Sequence, residues 1–148
     1  VCNAAYIYSR VRFEDGAPER DRPLAGQSPY LVNTGLFYQH DDKGISASLL
    51  YNRIGKRIES VGVPMQNESE DIPDIYEMPR NSLDLTFSKK IGKFVEIKAG
   101  VQDLLNSKVE YKQFVKLTDE NGGKREREQL IRSYRPGVDI NVGVSLKF

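Results

Sequence analysis

An all-β chain, folded as an antiparallel up-and-down meander of about six long strands, is predicted by three features of the sequence. The first is strict alternation at the C-terminus. Val138, Ile140, Val142, Val144, Leu146 and Phe148 share one parity, and Asp139, Asn141, Gly143, Ser145 and Lys147 share the other. Successive side chains of a strand point to opposite faces, so this segment has one apolar and one polar face. The second feature is recurrence of that pattern upstream. The third is the spacing of the connectors, which are long and short in turn. A length of 148 residues suits a single domain, here 1–148 as one unit.

The strands are expected at roughly 1–14, 28–40, 44–61, 80–91, 93–115 and 130–148. The first alternates too ambiguously for its faces to be assigned. In the second, Val32, Thr34, Leu36 and Tyr38 fall on one parity. In the third, Ile45, Ala47, Leu49 and Tyr51 oppose Ser46, Ser48 and Asn52. In the fourth, Leu83, Leu85 and Phe87 oppose Asp84, Thr86 and Ser88; in the fifth, Val95 and Ile97 alternate with Glu96 and Lys98. Residues 102–107 fit either a single turn or a bulge interrupting the fifth strand. Segments 109–117 and 129–135 read as extensions of the last hairpin, the alternative being a separate hairpin that raises the count to eight.

His40 to Gly44 and Lys89 to Lys93 are short connectors, each with a glycine where a hairpin needs positive φ. Glu14 to Ser28, Val63 to Pro79 and Lys116 to Gln129 are long and polar. Successive connections of a meander fall at alternate ends, so the three long ones gather on one side. Short turns at one end and long loops at the other are the asymmetry of an outer-membrane barrel.

Composition narrows the alternatives. The 22 basic and 21 acidic residues nearly cancel, which excludes the basic excess of a nucleic-acid-binding surface. One cysteine, Cys2, rules out an internal disulfide framework, and with a single histidine it rules out a standard zinc cluster. No apolar run approaches the ~20 residues of a membrane helix. Membrane barrels alternate lipid-facing and lumen-facing residues, so hydropathy alone leaves that class open. The chain opens directly into strand-like sequence, without the basic and apolar regions of a signal peptide, and the expected reading is that a front part is missing.

Asn141, Gly143, Leu146 and the terminal Phe148 are spaced like the sorting signal on the last strand of bacterial outer-membrane proteins, which the barrel assembly machinery reads. An exposed edge strand suits recognition by strand addition. Further segments resemble the end of the barrel in TonB-dependent outer-membrane receptors. They are Arg22 to Asn33, Ser48 to Ile58, Pro73 to Asn81, Asp103-Leu104-Leu105-Asn106, and the closing Gly143 to Phe148, in that order. The resemblance covers essentially the whole chain. It implies a barrel of 22 strands around an N-terminal plug, a coupling segment that contacts TonB, and uptake of iron chelates, cobalamin, glycans or peptides. It also implies location in the Gram-negative outer membrane, with membrane lipid and the rest of the barrel and plug as partners. Plug, coupling segment and most strands are lacking here, so the chain looks like the last six strands. It is not competent for transport alone, and no substrate residue is carried over.

On this reading Asp84, Thr86, Glu96, Lys98, Asp139, Asn141 and Lys147 face the lumen. Leu83, Leu85, Phe87, Val95, Ile97, Val142, Val144 and Leu146 face lipid. Some of the eight tyrosines are expected in interfacial girdles. Glu68, Glu70, Asp71 and Asp74 could suggest a calcium site, but their spacing is that of a solvated acidic loop. His40 reads as a surface turn residue, Lys124 to Glu128 as a hydrated loop tip, and Cys2 as a buried or lipid-facing thiol. No catalytic constellation, cofactor motif or metal set is found, and no enzymatic role is expected. The competing readings are a soluble or standalone eight-stranded barrel, the soluble form enclosing an apolar ligand. The fragment reading instead expects an open, twisted sheet whose uncovered edges and apolar face drive self-association.

Overall fold

The computed structural model describes residues 1–12, 22–63, 65, 71–118 and 123–146. They form ten strands and, among the described residues, no helix: β1 (Cys2–Tyr6), β2 (Tyr30–His40), β3 (Ile45–Ile54), β4 (Arg57–Ser60), β5 (Ile75–Glu77), β6 (Arg80–Ile91), β7 (Val95–Gln102), β8 (Val109–Thr118), β9 (Lys124–Tyr134) and β10 (Asp139–Leu146). Every pairing is antiparallel. Six strands build one sheet in the order β1-β2-β3-β6-β7-β10, and four build a second in the order β4-β5-β8-β9. Both sheets are open; the described strands do not close into a barrel.

The second sheet continues the meander of the first. Ile54 lies opposite Arg80 and Arg57 lies opposite Glu77, so β3–β4 and β5–β6 each spend two residues on the interruption and keep their register. Pro79 accounts for part of the break, because it has no N–H to give to a ladder. On the other strand the Gly55 N–H donates to the Tyr30 carbonyl at 3.1 Å instead. The expected third strand is therefore two strands, and the expected loop from Val63 to Pro79 contains β5. A further bridge pairs Val63 with Ile72.

The fifth expected strand is likewise divided, into β7 and β8. From Glu77 to Leu85 one strand advances eight residues, while its neighbour advances ten, from Val101 to Tyr111. The two additional residues form a bulge with a tight turn at Leu104–Leu105. The Asn106 N–H donates to the Asp103 carbonyl at 2.7 Å, and Asp103 and Asn106 both take positive φ, 50° and 43°. Asp and Asn are the side chains that tolerate this conformation best. An insertion of two preserves the parity of every later side chain, whereas an insertion of one would reverse it.

The last hairpin also departs from the expected limits. β8 runs to Thr118 and β9 begins at Lys124, so both intrude on the loop expected from Lys116 to Gln129. Residues 135–138 then separate β9 from β10, breaking the strand expected at 130–148. Since β8 pairs β9 and β7 pairs β10, the upper pair extends the last hairpin and adds no strand to the six-stranded sheet. At the N-terminus β1 ends at Tyr6, short of the expected 14; a single bridge joins Val11 to Arg22. The short turns form as expected, with Gly44 at φ 58° and Gly92 at φ 61°.

Few apolar side chains are enclosed. Among the described residues Ile58, Val109 and Tyr111 are the buried large ones, and all three belong to the four-stranded sheet or its border strand positions. Near that core, a Cβ added at Gly62 would stand 1.9 Å from the Ile72 carbonyl oxygen and 2.6 Å from the Pro73 carbonyl carbon. Backbone cannot yield as a side chain does, so Gly62→Ala should open the Val63–Ile72 bridge at a cost of about 1–3 kcal/mol. Hydrogen exchange at the Val63 and Ile72 amides reads this directly; unchanged protection would refute it.

Candidate membrane-facing surface

The register of the six-stranded sheet sorts its side chains into two faces. Leu36, Leu49, Leu85, Val101 and Ile140 stand opposite one another in a row across five strands. Tyr38, Ala47, Phe87, Ala99 and Val142 make the next row, and His40, Ile45, Lys89, Ile97 and Val144 the one after. Leu83 opposes Tyr51, and Val95 opposes both Ile91 and Leu146. Thus Leu83, Leu85, Phe87, Val95, Ile97, Val142, Val144 and Leu146 share one face.

The other face carries a row of Phe37, Ser48, Thr86, Gly100 and Asn141, and another of Gln39, Ser46, Ser88, Lys98 and Gly143. Asp84, Glu96 and Asp139 fall on it by the same parity, while Lys147 and Phe148 lie outside the described residues. Its polar side chains bond to one another. The hydroxyls of Ser46 and Ser88 share a hydrogen bond of 2.7 Å, and those of Ser48 and Thr86 one of 2.5 Å. Asn52 donates to Asn33 across the β2–β3 pair, and Lys98 Nζ lies 3.5 Å from Glu96 Oε2. Leu31, Phe37, Leu50 and Ile54 are apolar exceptions on this side, and Lys89 and Arg53 are charged exceptions on the apolar side.

Nothing in the described chain covers the apolar face. Ile140 and Val142 are each 72% exposed, Leu36 65% and Val144 64%. A soluble monomer rarely leaves so large a contiguous apolar patch open. Of the residues matching the sorting signal, Asn141 and Gly143 stand on the polar face of β10 and Leu146 on the apolar one. β10 is an edge strand, paired only with β7 among the described residues.

The apolar face has polar borders. Toward the second sheet, Tyr51 Oη donates to Asn81 Oδ1 at 2.9 Å, Arg53 Nη1 donates to the same oxygen at 3.1 Å, and Arg53 Nε donates to Tyr30 Oη at 3.4 Å. Toward the short turns, Lys89 Nζ donates to the Lys43 carbonyl at 2.6 Å. Tyr6, Tyr30, Tyr38 and Tyr51 all fall on this face, whereas Tyr76, Tyr111 and Tyr134 belong to the second sheet, so the tyrosines do not form one level. Cys2 is exposed, opposite Thr34 on the apolar face, rather than buried. His40 Nδ1 accepts the Lys43 N–H across the turn at 3.4 Å.

The second sheet holds charge in a different way. Arg57 places Nε and Nη2 at 2.8 and 2.6 Å from Glu77 Oε2. The Lys56 ammonium sits 3.9 Å from the Tyr76 ring centre and 3.7 Å from that of Phe114, and those rings meet edge to face at 5.7 Å. Burial pushes the Lys56 pKa down, against the opposing pull of Glu126 and Glu128. Lys112 lies between Glu128 at 2.6 Å and Glu110 at 3.4 Å, and the Arg132 guanidinium covers the Tyr111 ring at 4.1 Å. None of these groupings follows from a local stretch of sequence, because each depends on the register between paired strands. Of the candidate calcium ligands, Glu68 and Glu70 lie outside the described residues. Asp71 and Asp74 accept the backbone N–H groups of Met65 and Gly62, each at 2.7 Å, which are loop contacts.

Burial raises the pKa of Tyr76, helped by Asp74, and burial raises that of Tyr111. A phenol with a raised folded-state value stabilises the fold below the ordinary tyrosine value near ~10, and that contribution is lost as pH climbs through the raised value. Absorbance titration at 295 nm should therefore show two phenols ionising later than free tyrosine and together with loss of the second sheet. Ionisation of both at the ordinary value would contradict their burial.

No family model, curated protein or solved structure matches the chain.

Proposed function

We propose that this chain is the C-terminal part of the transmembrane barrel of an energy-coupled outer-membrane receptor of the TonB-dependent type. Such a receptor takes up a scarce nutrient such as an iron chelate, cobalamin, a glycan or a peptide. The chain contributes wall rather than chemistry: it is neither an enzyme nor sufficient for transport. The observation that carries the reading is the uncovered apolar face, continuous across five strands and backed by a hydrogen-bonded polar face. On β6 the apolar parity runs from Leu83 to Ile91, about 26 Å along the strand, interrupted by Lys89, whose Nζ donates to the Lys43 carbonyl. Tilted as barrel strands are, that spans about 20 Å of the ~25 Å apolar band of an outer-membrane protein. The second sheet continues the strands of the first beyond one end, as strands leading into external loops would. The open edges at β1 and β10 are where neighbouring barrel strands would pair.

The rows Leu36–Leu49–Leu85–Val101–Ile140 and its neighbours then face lipid. Asp84, Thr86, Glu96, Lys98, Asp139 and Asn141 face the lumen, and β10 carries the sequence read by the assembly machinery. Coupling to TonB and the plug belong to sequence outside this chain. An immunoblot of fractionated cells with an antibody against this chain tests the proposal. A band several times heavier than 16.8 kDa in the outer-membrane fraction is expected, and a soluble band near the chain's own mass would refute it. In lipid-free water the isolated chain should self-associate through its edges and apolar face. Analytical ultracentrifugation checks this, and a stable monomer would count against an open apolar sheet.

A further inference from the structure

The border of the apolar face holds a positive charge with neutral partners only. Arg53 follows Tyr51 by two residues on β3, so it continues the apolar parity one step beyond the row Thr34–Tyr51–Leu83. Its guanidinium donates from Nε to Tyr30 Oη and from Nη1 to Asn81 Oδ1, which also accepts from Tyr51. Among the described residues no carboxylate forms an ion pair with it, and its hydrogen bonds to Tyr30 and Asn81 engage two of its five N–H donors. The next arginine on the same parity, Arg57, is neutralised by Glu77 at 2.6 Å. Arg53 is thus a positioned guanidinium with unused donors at the place where apolar surface gives way to polar surface.

We propose that Arg53, held by Tyr30, Tyr51 and Asn81, binds the phosphate of a lipid headgroup. The inference rests on the reading of this face as lipid-facing and deepens it. A planar guanidinium matches phosphate geometry with paired donors. Tyrosine rings favour the level of the headgroups, and Tyr30 and Tyr51 place two phenols beside the cation. A lipid supplies both halves of the contact, acyl chains for the rows below and an anion for Arg53. A free phosphate would leave those rows uncovered.

The full chain is titrated, at one salt concentration, with vesicles of phosphatidylcholine and with the same vesicles containing phosphatidic acid. Wild type should bind both, and the phosphatidic acid should tighten binding about fivefold through one arginine. Arg53→Gln should lose that increment while still binding phosphatidylcholine, which also reports that its surface is folded. Tyr30→Phe, which keeps the ring and removes one anchor of the guanidinium, should lose part of it. Arg125→Gln, on the distant β9, should keep it all. Failure of wild type to bind phosphatidylcholine would refute the lipid-facing reading itself. Binding to both vesicles with no increment, or an increment that survives Arg53→Gln, would overturn only the headgroup site. An increment abolished by millimolar inorganic phosphate would assign the site to the free ion rather than the lipid.

Discussion

Val142→Arg should cost about 2–4 kcal/mol of folding free energy in a bilayer, while Ser145→Arg should cost much less. Both positions lie on β10, three residues apart and therefore on opposite faces. Val142 stands in the row with Ala99, Phe87, Ala47 and Tyr38, near the middle of the apolar face, and none of the described residues covers it. A guanidinium there must be carried into hydrocarbon or drag water and headgroups inward. Ser145 stands opposite Glu96, so an arginine at that position meets an opposite charge. Denaturant titration of the chain reconstituted in phosphatidylcholine vesicles measures both. If Val142→Arg folds like wild type and Ser145→Arg fails, the two faces are reversed and the lumen and lipid assignments exchange.

Ile58→Ala should destabilise the second sheet by about 2–5 kcal/mol, the range for emptying a buried aliphatic site. Ile58 is 1% exposed, the most enclosed large side chain among the described residues. It lies opposite Tyr76 on β5, and its carbonyl accepts the Gly26 N–H at 2.8 Å, which ties the segment before β2 to the free edge of β4. Only Val109 and Tyr111 are enclosed with it among the described residues of that sheet, so little packing is left to absorb the loss. Hydrogen exchange should show β4, β5 and β8 losing protection while β3 and β6 keep theirs. Equal loss in both sheets would mean that they unfold as one unit. No loss would mean that Ile58 is not the anchor its burial indicates.

The two-faced strands were readable because parity is a property of near neighbours. Val95, Glu96, Ile97 and Lys98 state it within four residues. The tight turns at Gly44 and Gly92 follow from similarly local chemistry. Reading failed where a strand is interrupted. Ile75–Glu77 lies between Pro73 and Pro79 after an acidic stretch, which locally describes a loop. It is a strand because Arg57–Ser60 on one side and Gln113 to Tyr111 on the other supply hydrogen-bonding partners. The choice between a turn and a bulge at residues 102–107 was likewise open, and the answer combines the two. The Leu104 N–H still reaches the Leu83 carbonyl, at 2.8 Å, while two added residues loop out.

The sequence by itself determined that the chain is all-β, which residues share a face along each strand, and where the short turns lie. Those properties depend on residues two to five apart, through side-chain alternation and the backbone freedom of glycine. Only the tertiary structure decided that the meander splits into two sheets and that the small core lies beyond the apolar face. It also decided that Arg57 meets Glu77, that Lys56 meets Tyr76 and Phe114, and that Arg53 is left with neutral partners. Each of these contacts depends on a register that brings together residues twenty or more apart. A ladder sets that register cooperatively, through all of its hydrogen bonds at once, and no local stretch of sequence contains it.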